Sequence, residues 1–165
     1  MPPLVRSALP DDCPAIARIY NEGIDERIAT FETAHRSPAD ILQWFEFGYP
    51  VIAVETAGTV AAFAVAYPYR SRPCYDGVRE FSVYVARDCR RQGAGLLALE
   101  ALCAVAAERG WWKLVSRIFV ENHASRRLCA RAGFREVGVY VRHARLDGAW
   151  RDCVIVERLT GEAAL

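Results

Sequence analysis

The sequence predicts an α/β fold on one mixed sheet, with its elements in the order β-α-α-β-β-β-α-β-α-β-β. Three observations carry this. Two periodically apolar segments with helix-start residues follow the first strand. Two β-branched runs then meet at a glycine turn. Last, a strand, a glycine-rich loop, a helix and a strand follow one another, the layout of a crossover.

Taken in order, Leu4 to Leu9 reads as a short strand, and Pro10-Asp11-Asp12 starts a helix carrying Ile16, Ile19 and Tyr20 on one face. Ser37-Pro38-Ala39-Asp40 supplies a cap, a proline at the first helical position and an acid at the third, ahead of Ile41, Leu42, Trp44 and Phe45. Tyr49 to Glu55 and Thr59 to Tyr67 form a hairpin around Thr56-Ala57-Gly58. Glu80 to Ala86 alternates as a fourth strand, and Gly95 to Arg109 places Leu96, Leu99, Leu102, Cys103 and Ala106 at helical spacing until Gly110 ends it. Lys113 to Val120 is a strand, Ala124 to Ala132 a short helix closed by Gly133, and Arg135 to Tyr140 and Trp150 to Leu159 the last two strands. No linker, repeat or low-complexity segment interrupts the series, so residues 1–165 are expected to form a single domain.

The 165 residues are 53% hydrophobic and 25% charged, with a net charge of +1. That balance offers no electrostatic reason to bind nucleic acid or an anionic membrane. No apolar run approaches the ~18 residues of a membrane span, and Met1 to Arg6 lacks the apolar stretch of a secretory signal, so the expected compartment is the cytoplasm. All but one of the 21 basic residues are arginines, the exception being Lys113, which excludes a GxxxxGK[ST] phosphate loop. Arginine binds carboxylate and phosphate well, although codon bias would give the same excess. The six cysteines contain no CxxC pair and there is no HxxxH, so they read as reduced core residues and no metal site is expected.

The chemistry-bearing stretch runs from Val83 through Arg90-Arg91-Gln92-Gly93-Ala94-Gly95. Unpaired amides in a helix's first turn and the positive end of its dipole make an anion site, and glycine admits a phosphate close to the backbone. Two other readings stand beside this one. Gly93-Ala94-Gly95-Leu96-Leu97-Ala98 fits the dinucleotide pattern GxGxxA, but seven residues, Ala86 to Gln92, intervene between Val85 and its first glycine, and no acid follows about 20 residues on. Alternatively, the glycines merely let the helix pack on the strand.

The same six residues match the R/Q-x-x-G-x-G/A signature of the GCN5-related N-acetyltransferases (GNAT). Val120-Glu121-Asn122-His123-Ala124-Ser125, with Leu128 and Ala132-Gly133-Phe134, resembles that superfamily's second motif. The resemblance implies the GNAT acyl-coenzyme A N-acyltransferase fold, with acetyl-CoA as co-substrate. It implies that Arg90, Arg91, Gln92, Gly93, Ala94, Gly95 and Leu96 hold the pyrophosphate, and that a bulged strand bearing Val83 and Val85 aligns the pantetheine and acetyl carbonyl. Asn122 and Ser125 belong to the motif that closes the coenzyme site.

Ile19 to Ile24, Ala29 to Thr33, Pro68 to Tyr75, Glu80 to Val85 and Asp147 to Asp152 further resemble the phosphinothricin and arsinothricin N-acetyltransferases. That likeness implies transfer of acetyl to the α-amine of a glutamate-like analogue, phosphinothricin, arsinothricin or methionine sulfoximine, as a resistance activity. It also implies a homodimer, for which the apolar, tryptophan-bearing stretch Trp150 to Leu159 could supply an interface, although a terminal strand buried in its own sheet would read the same. Arg70 and Arg72 lie two apart, on one face if that segment is extended, and suit an α-carboxylate; two solvated loop arginines would read the same. Phe31 and Tyr75 would wall the pocket. An α-amine is largely protonated at neutral pH, so a general base is needed, and Glu80 at the head of the fourth strand takes that place by resemblance. A main-chain N–H at or next to Val83 would hold the oxyanion.

The chain also departs from the pattern. Cys129 stands where many members of the superfamily carry a tyrosine general acid, and reads mainly as packing. His143 lies several residues beyond the position of the phosphinothricin enzymes' histidine, and is a reserve catalytic candidate. Acetylation of another small amine or of a protein N-terminus, and a non-catalytic acyl-CoA sensor, are the rival readings.

Overall fold

A computed structural model describes all 165 residues. Seven strands form one sheet in the order β1-β2-β3-β4-β5-β7-β6. The strands are β1 (Leu4–Ser7), β2 (Val51–Thr56), β3 (Thr59–Pro68), β4 (Val78–Val85), β5 (Lys113–Phe119), β6 (Arg135–Leu146) and β7 (Ala149–Leu159). The helices are α1 (Cys13–Asp25), α2 (Pro38–Glu46), α3 (Ala94–Glu108) and α4 (His123–Arg131). This is the predicted element order. No helix is long and apolar enough to cross a membrane.

Strand alternation explains the layers. On β2 and β3, Val51, Ala53, Phe63 and Val65 point to one face, where they bury Ile16, Ile19 and Ile24 of α1 and Ile41 of α2. Ile52, Val54, Ala62 and Ala64 point to the other, against Ala98, Leu99 and Leu102 of α3. With both faces covered, every residue from Val60 to Ala66 is buried, so the run reads as continuously apolar.

Helix α2 starts as expected. Ser37 Oγ accepts from Asp40 N–H (3.2 Å) and Asp40 Oδ2 accepts from Ser37 N–H (2.8 Å), a reciprocal pair that satisfies two amides. At the first turn of the chain Asp12 accepts from Leu9 N–H (2.7 Å) and from both terminal nitrogens of Arg6 (2.7 and 3.0 Å). The Arg6 ion pair holds the Asp12 carboxyl below the usual carboxylate range.

Strand β4 joins two halves of the sheet. It pairs antiparallel with β3 in unbroken register from Pro68↔Arg79 to Ala62↔Val85. With β5 it pairs in parallel only at Val78↔Lys113, Arg79↔Leu114 and Glu80↔Val115. The short contact is pinned from one end: Trp112 and Lys113 N–H both donate to Gly77 O (2.9 and 3.2 Å), and a Cβ on Gly77 would lie 2.0 Å from the Trp112 ring. Past Glu80 the strands separate, because β5 follows β7, with which it is paired over its whole length from Lys113↔Leu159 to Phe119↔Cys153.

The differences from expectation are specific. Strand β4 begins two residues earlier than predicted, so Glu80 sits inside it. No bulge interrupts β4; the opening beside it comes from divergence of β5. Strand β6 continues to Leu146 beyond the predicted end at Tyr140, because irregularities at Glu136/Gly138 and Tyr140/Ala144 break the alternation that marks a strand in sequence.

Candidate active site

The divergence of β4 and β5 opens a cleft of about 1450 Å³. Val83 and Val85 of β4, Ile118 and Phe119 of β5, the Arg90–Leu96 loop and the start of α4 line it, but Gln92 does not. Gln92 is exposed.

The loop's two glycines do different things. Gly93 adopts φ +85° with nothing within 4 Å of where a Cβ would stand, so it is needed for conformation and leaves open space in front of the helix. Gly95 has ordinary helical backbone, but a Cβ there would meet Val85 Cγ2 at 2.9 Å. It lets α3 press on β4. The anion reading and the packing reading of the sequence thus each claim one glycine. The first intrahelical bond at this end runs from Leu97 N–H to Gly93 O (3.1 Å), so the amides of Ala94, Gly95 and Leu96 have no helical acceptor. These donors, the helix dipole and exposed Arg91 at φ +63° suit a phosphate group.

Arg90 is less free than its position in the motif suggests. Its Nη1 and Nη2 donate to Glu26 (2.7 and 2.5 Å), and the pair holds the Glu26 carboxyl below its ordinary range. Its Nε lies 3.5 Å from Val85 O. Asn122 is also committed: its Oδ1 accepts from Ser125 N–H (3.2 Å) to cap α4, and its Nδ2 donates to Ile28 O (3.2 Å), tying α4 to the segment after α1.

The main chain of β4 faces the cleft at alternate residues. Ala86 N–H donates to Ala61 O (2.8 Å) on the β3 side. Phe81, Val83 and Val85 therefore present their N–H and C=O toward β5. Ser116 Oγ donates to Phe81 O (3.0 Å), which leaves Val83 beyond the last bridge between the strands.

Glu80 points to the opposite face from Val83 and stands on a wall, with Ser116, Arg117 and His143, between the cleft and a second cavity of about 540 Å³. Arg117 Nη2 donates to Glu80 Oε1 (2.9 Å), and Arg117 Nη1 lies 3.3 Å from His143 Nε2. His143 stacks on Tyr140 at 4.7 Å. Arg70 and Tyr75 line the second cavity, with Arg70 over the Tyr69 ring (5.0 Å) and Tyr69 edge-on to Tyr75 (5.7 Å). Arg72 lines neither cavity, and the chain bends at Ser71 and Arg72 instead of running on as a strand. Phe31 lines the cleft instead, edge-on to Phe119 at 4.7 Å. The structure thus brings Glu80 and His143 together with Arg70 and Tyr75 on one side and with Phe31 on the other, and leaves Arg72 outside both cavities.

Sequence reading missed Arg117, and Tyr67 and Tyr84 on the same face of the sheet. Alternation along Lys113–Phe119 would have placed Arg117 on the face of Glu80, given the register. Burial pushes the phenols of Tyr67 and Tyr84 up, so both stay neutral. Cys129 is buried, its thiol pushed up to about 12 by desolvation, which suits packing. The six cysteines are all unpaired, and no three His, Cys, Asp or Glu side chains group to hold a metal.

Comparison with known proteins adds the following. The acetyltransferase (GNAT) family matches residues 16–134. The phosphinothricin N-acetyltransferase of Streptomyces coelicolor is 31% identical over 93% of this chain and 94% of its own length. The L-methionine sulfoximine/L-methionine sulfone acetyltransferase of Pseudomonas paraeruginosa is 31% identical over 93% of this chain and 92% of its own. Among solved structures, a phosphinothricin acetyltransferase from Sinorhizobium meliloti in complex with acetyl-CoA superposes with a TM-score of 0.91. It is 27% identical, covering 98% of this chain and 90% of that one.

Proposed function

Since the chain belongs to the acetyltransferase (GNAT) family and is an acetyl-CoA-dependent N-acetyltransferase, we propose that it acetylates the α-amine of glutamate-like amino-acid analogues such as phosphinothricin, arsinothricin and methionine sulfoximine. The observation that carries this reading is the position of Glu80 on the one wall shared by the coenzyme cleft and an arginine-lined cavity.

The thioester supplies the acetyl group. The amides of Ala94, Gly95 and Leu96, with Arg91, would hold the pyrophosphate, and Arg90 would contribute through Val85 or after release from Glu26. The Val83 N–H, on the cleft side of β4, would stabilise the carbonyl oxygen as charge develops on it. The incoming amine must lose a proton, and Glu80 is the carboxylate placed to take it. His143, whose Nε2 lone pair faces an Arg117 N–H, is the weaker candidate. Arg70 has no carboxylate partner and suits the substrate α-carboxylate, with Tyr75 beside it; Arg72 would join it only after a change in the loop, and Phe31 would close the cleft side. The leaving thiolate takes its proton from water, since the Cys129 thiol is a weak acid.

The same reading includes one N-acetyltransferase domain over residues 1–165 and a cytoplasmic location, in keeping with six free cysteines. Acetylation removes the positive charge of the amine and so confers resistance to a toxic analogue. A homodimer is part of it, but the expected Trp150 to Leu159 stretch lies in β7 between β5 and β6, so the edge available is β6, where Val137, Val139 and Val141 are 47–70% exposed.

A thiol-release assay with acetyl-CoA over phosphinothricin, arsinothricin, methionine sulfoximine and the common amino acids tests the proposal. Turnover confined to α-amino acids is expected. Equal turnover of amines lacking a carboxylate would overturn it.

A further inference from the structure

The second cavity holds three cations, Arg70, Lys113 and Arg117, and two carboxylates, Glu80 and Glu157. Their pairing is uneven. Lys113 Nζ is 3.0 Å from Glu157, and Glu157 also receives Arg135 Nη2 (2.6 Å), so this acid and lysine are satisfied away from the wall. Arg70 has only an aromatic neighbour. Arg117 has Glu80 as its one carboxylate partner, and both remain open to solvent, with 45% and 29% of their side chains exposed.

A guanidinium only donates, so His143 Nε2 is an acceptor toward Arg117, and the Tyr140 stack fixes the ring in that attitude. The Arg117 fork therefore bridges Glu80 and His143 at the boundary of the two cavities. Three charges are left for a ligand in this chamber: positive Arg70, positive Arg117 and negative Glu80. An amino acid with an anionic side chain carries the complementary set, an α-carboxylate, a distal oxyanion and an ammonium.

We infer that Arg117 selects substrates by the charge of their side chain, and that it does so by leaving Glu80. The inference rests on the amino-acid reading of the site. In the free enzyme Arg117 occupies the carboxylate that must accept the amine proton. A distal oxyanion draws the guanidinium off, and the ammonium takes its place on Glu80. A neutral side chain provides no such exchange, so its ammonium competes with Arg117 for the same carboxylate. Side-chain charge is thereby read as turnover as well as binding.

L-Phosphinothricin and L-methionine sulfone form a matched pair of probes, because their side chains have the same shape and differ by one negative charge. Steady-state kcat and KM are measured for both at saturating acetyl-CoA with the wild type, Arg117→Gln and Arg117→Lys. Acetyl-CoA binding by calorimetry checks that each variant is folded. In Arg117→Gln the kcat/KM ratio of phosphinothricin to sulfone should fall roughly 10- to 100-fold, the range of one charge-assisted hydrogen bond. The sulfone's kcat should rise as Glu80 is released, and Arg117→Lys should recover part of the ratio. Losses of equal size on both substrates in either variant would assign Arg117 a structural role and overturn the inference. If the wild type acetylates neither probe, the amino-acid reading falls and takes this inference with it. If it acetylates both and the ratio survives Arg117→Gln, only the inference falls.

Discussion

Replacing Glu80 by glutamine exchanges one carboxylate oxygen for an amide nitrogen and removes the proposed base. The amide keeps an oxygen for the Arg117 Nη2 donor that now stands 2.9 Å away. The lost ion pair is open to solvent and worth under about 1 kcal/mol, a shift of no more than roughly 2–4 °C in Tm for a chain of this size. The protein should therefore be folded, and a change in rate reports on chemistry. A positioned general base contributes about 10²- to 10⁴-fold, or roughly 3–5 kcal/mol at 1.36 kcal/mol per tenfold. Without it only the neutral amine reacts, about a tenth of an α-amine with a pKa near 8 at pH 7. Glu80→Gln should thus lower kcat/KM by at least about 100-fold at pH 7 and regain about tenfold per pH unit up to the amine pKa. Acetyl-CoA affinity should hold, because Glu80 and Val83 point to opposite faces of β4. The pH–rate profile from thiol release, with calorimetric binding of acetyl-CoA alongside, measures all of this. Parallel wild-type and variant profiles would falsify the assignment of Glu80 as the base.

Other consequences follow from single residues. Gly93→Ala meets no neighbour but must hold φ near +85°, so it should cost about 1–2 kcal/mol and weaken acetyl-CoA binding several-fold; unchanged melting and affinity would sink the conformational argument. Native alkylation should label exposed Cys74 first and leave Cys129, buried with its thiol pushed up to about 12, until the protein unfolds, as peptide mass spectrometry would register. Asp12 ionises at a lower pH in the folded chain than unfolded, so its contribution is complete above about pH 4 and is lost as pH falls through the folded value. Asp12→Asn should lower stability by about 1–3 kcal/mol at pH 7, and urea titrations should show the gap to wild type narrowing toward pH 3; a constant gap counts against the Arg6 pair as its source.

Local chemistry made most elements legible. The capping pair at Ser37 and Asp40, the Gly58 turn and the apolar spacing of Leu99 and Leu102 each act within a few residues, and each helix and strand they mark is present. What stayed hidden depends on partners far along the chain. Arg90 belongs to a phosphate motif by sequence, yet its charge is answered by Glu26, 64 residues earlier. Arg117 looks like any polar residue in a strand until the pairing of Glu80 with Val115 turns both side chains onto one wall. The end of β6 was misread because its irregularities break the alternation from which a strand is recognised. The site motifs were thus readable as a list of residues, whereas their division between two cavities required the register of the sheet.

Three residue pairs hold the two halves of the sheet together, and past them β4 has no strand neighbour on its β5 side, although β3 still pairs with the other. A sheet with such a seam is incomplete in its own atoms. If the coenzyme lies along the cleft-side amides of Val83 and Val85 as proposed, it finishes what the polypeptide leaves undone, and the enzyme's resistance to unfolding is then tied to how much coenzyme surrounds it: about 2.7 kcal/mol at a hundred times the dissociation constant. In a cell short of acetyl-CoA, then, this protein would lose its substrate and part of its durability together.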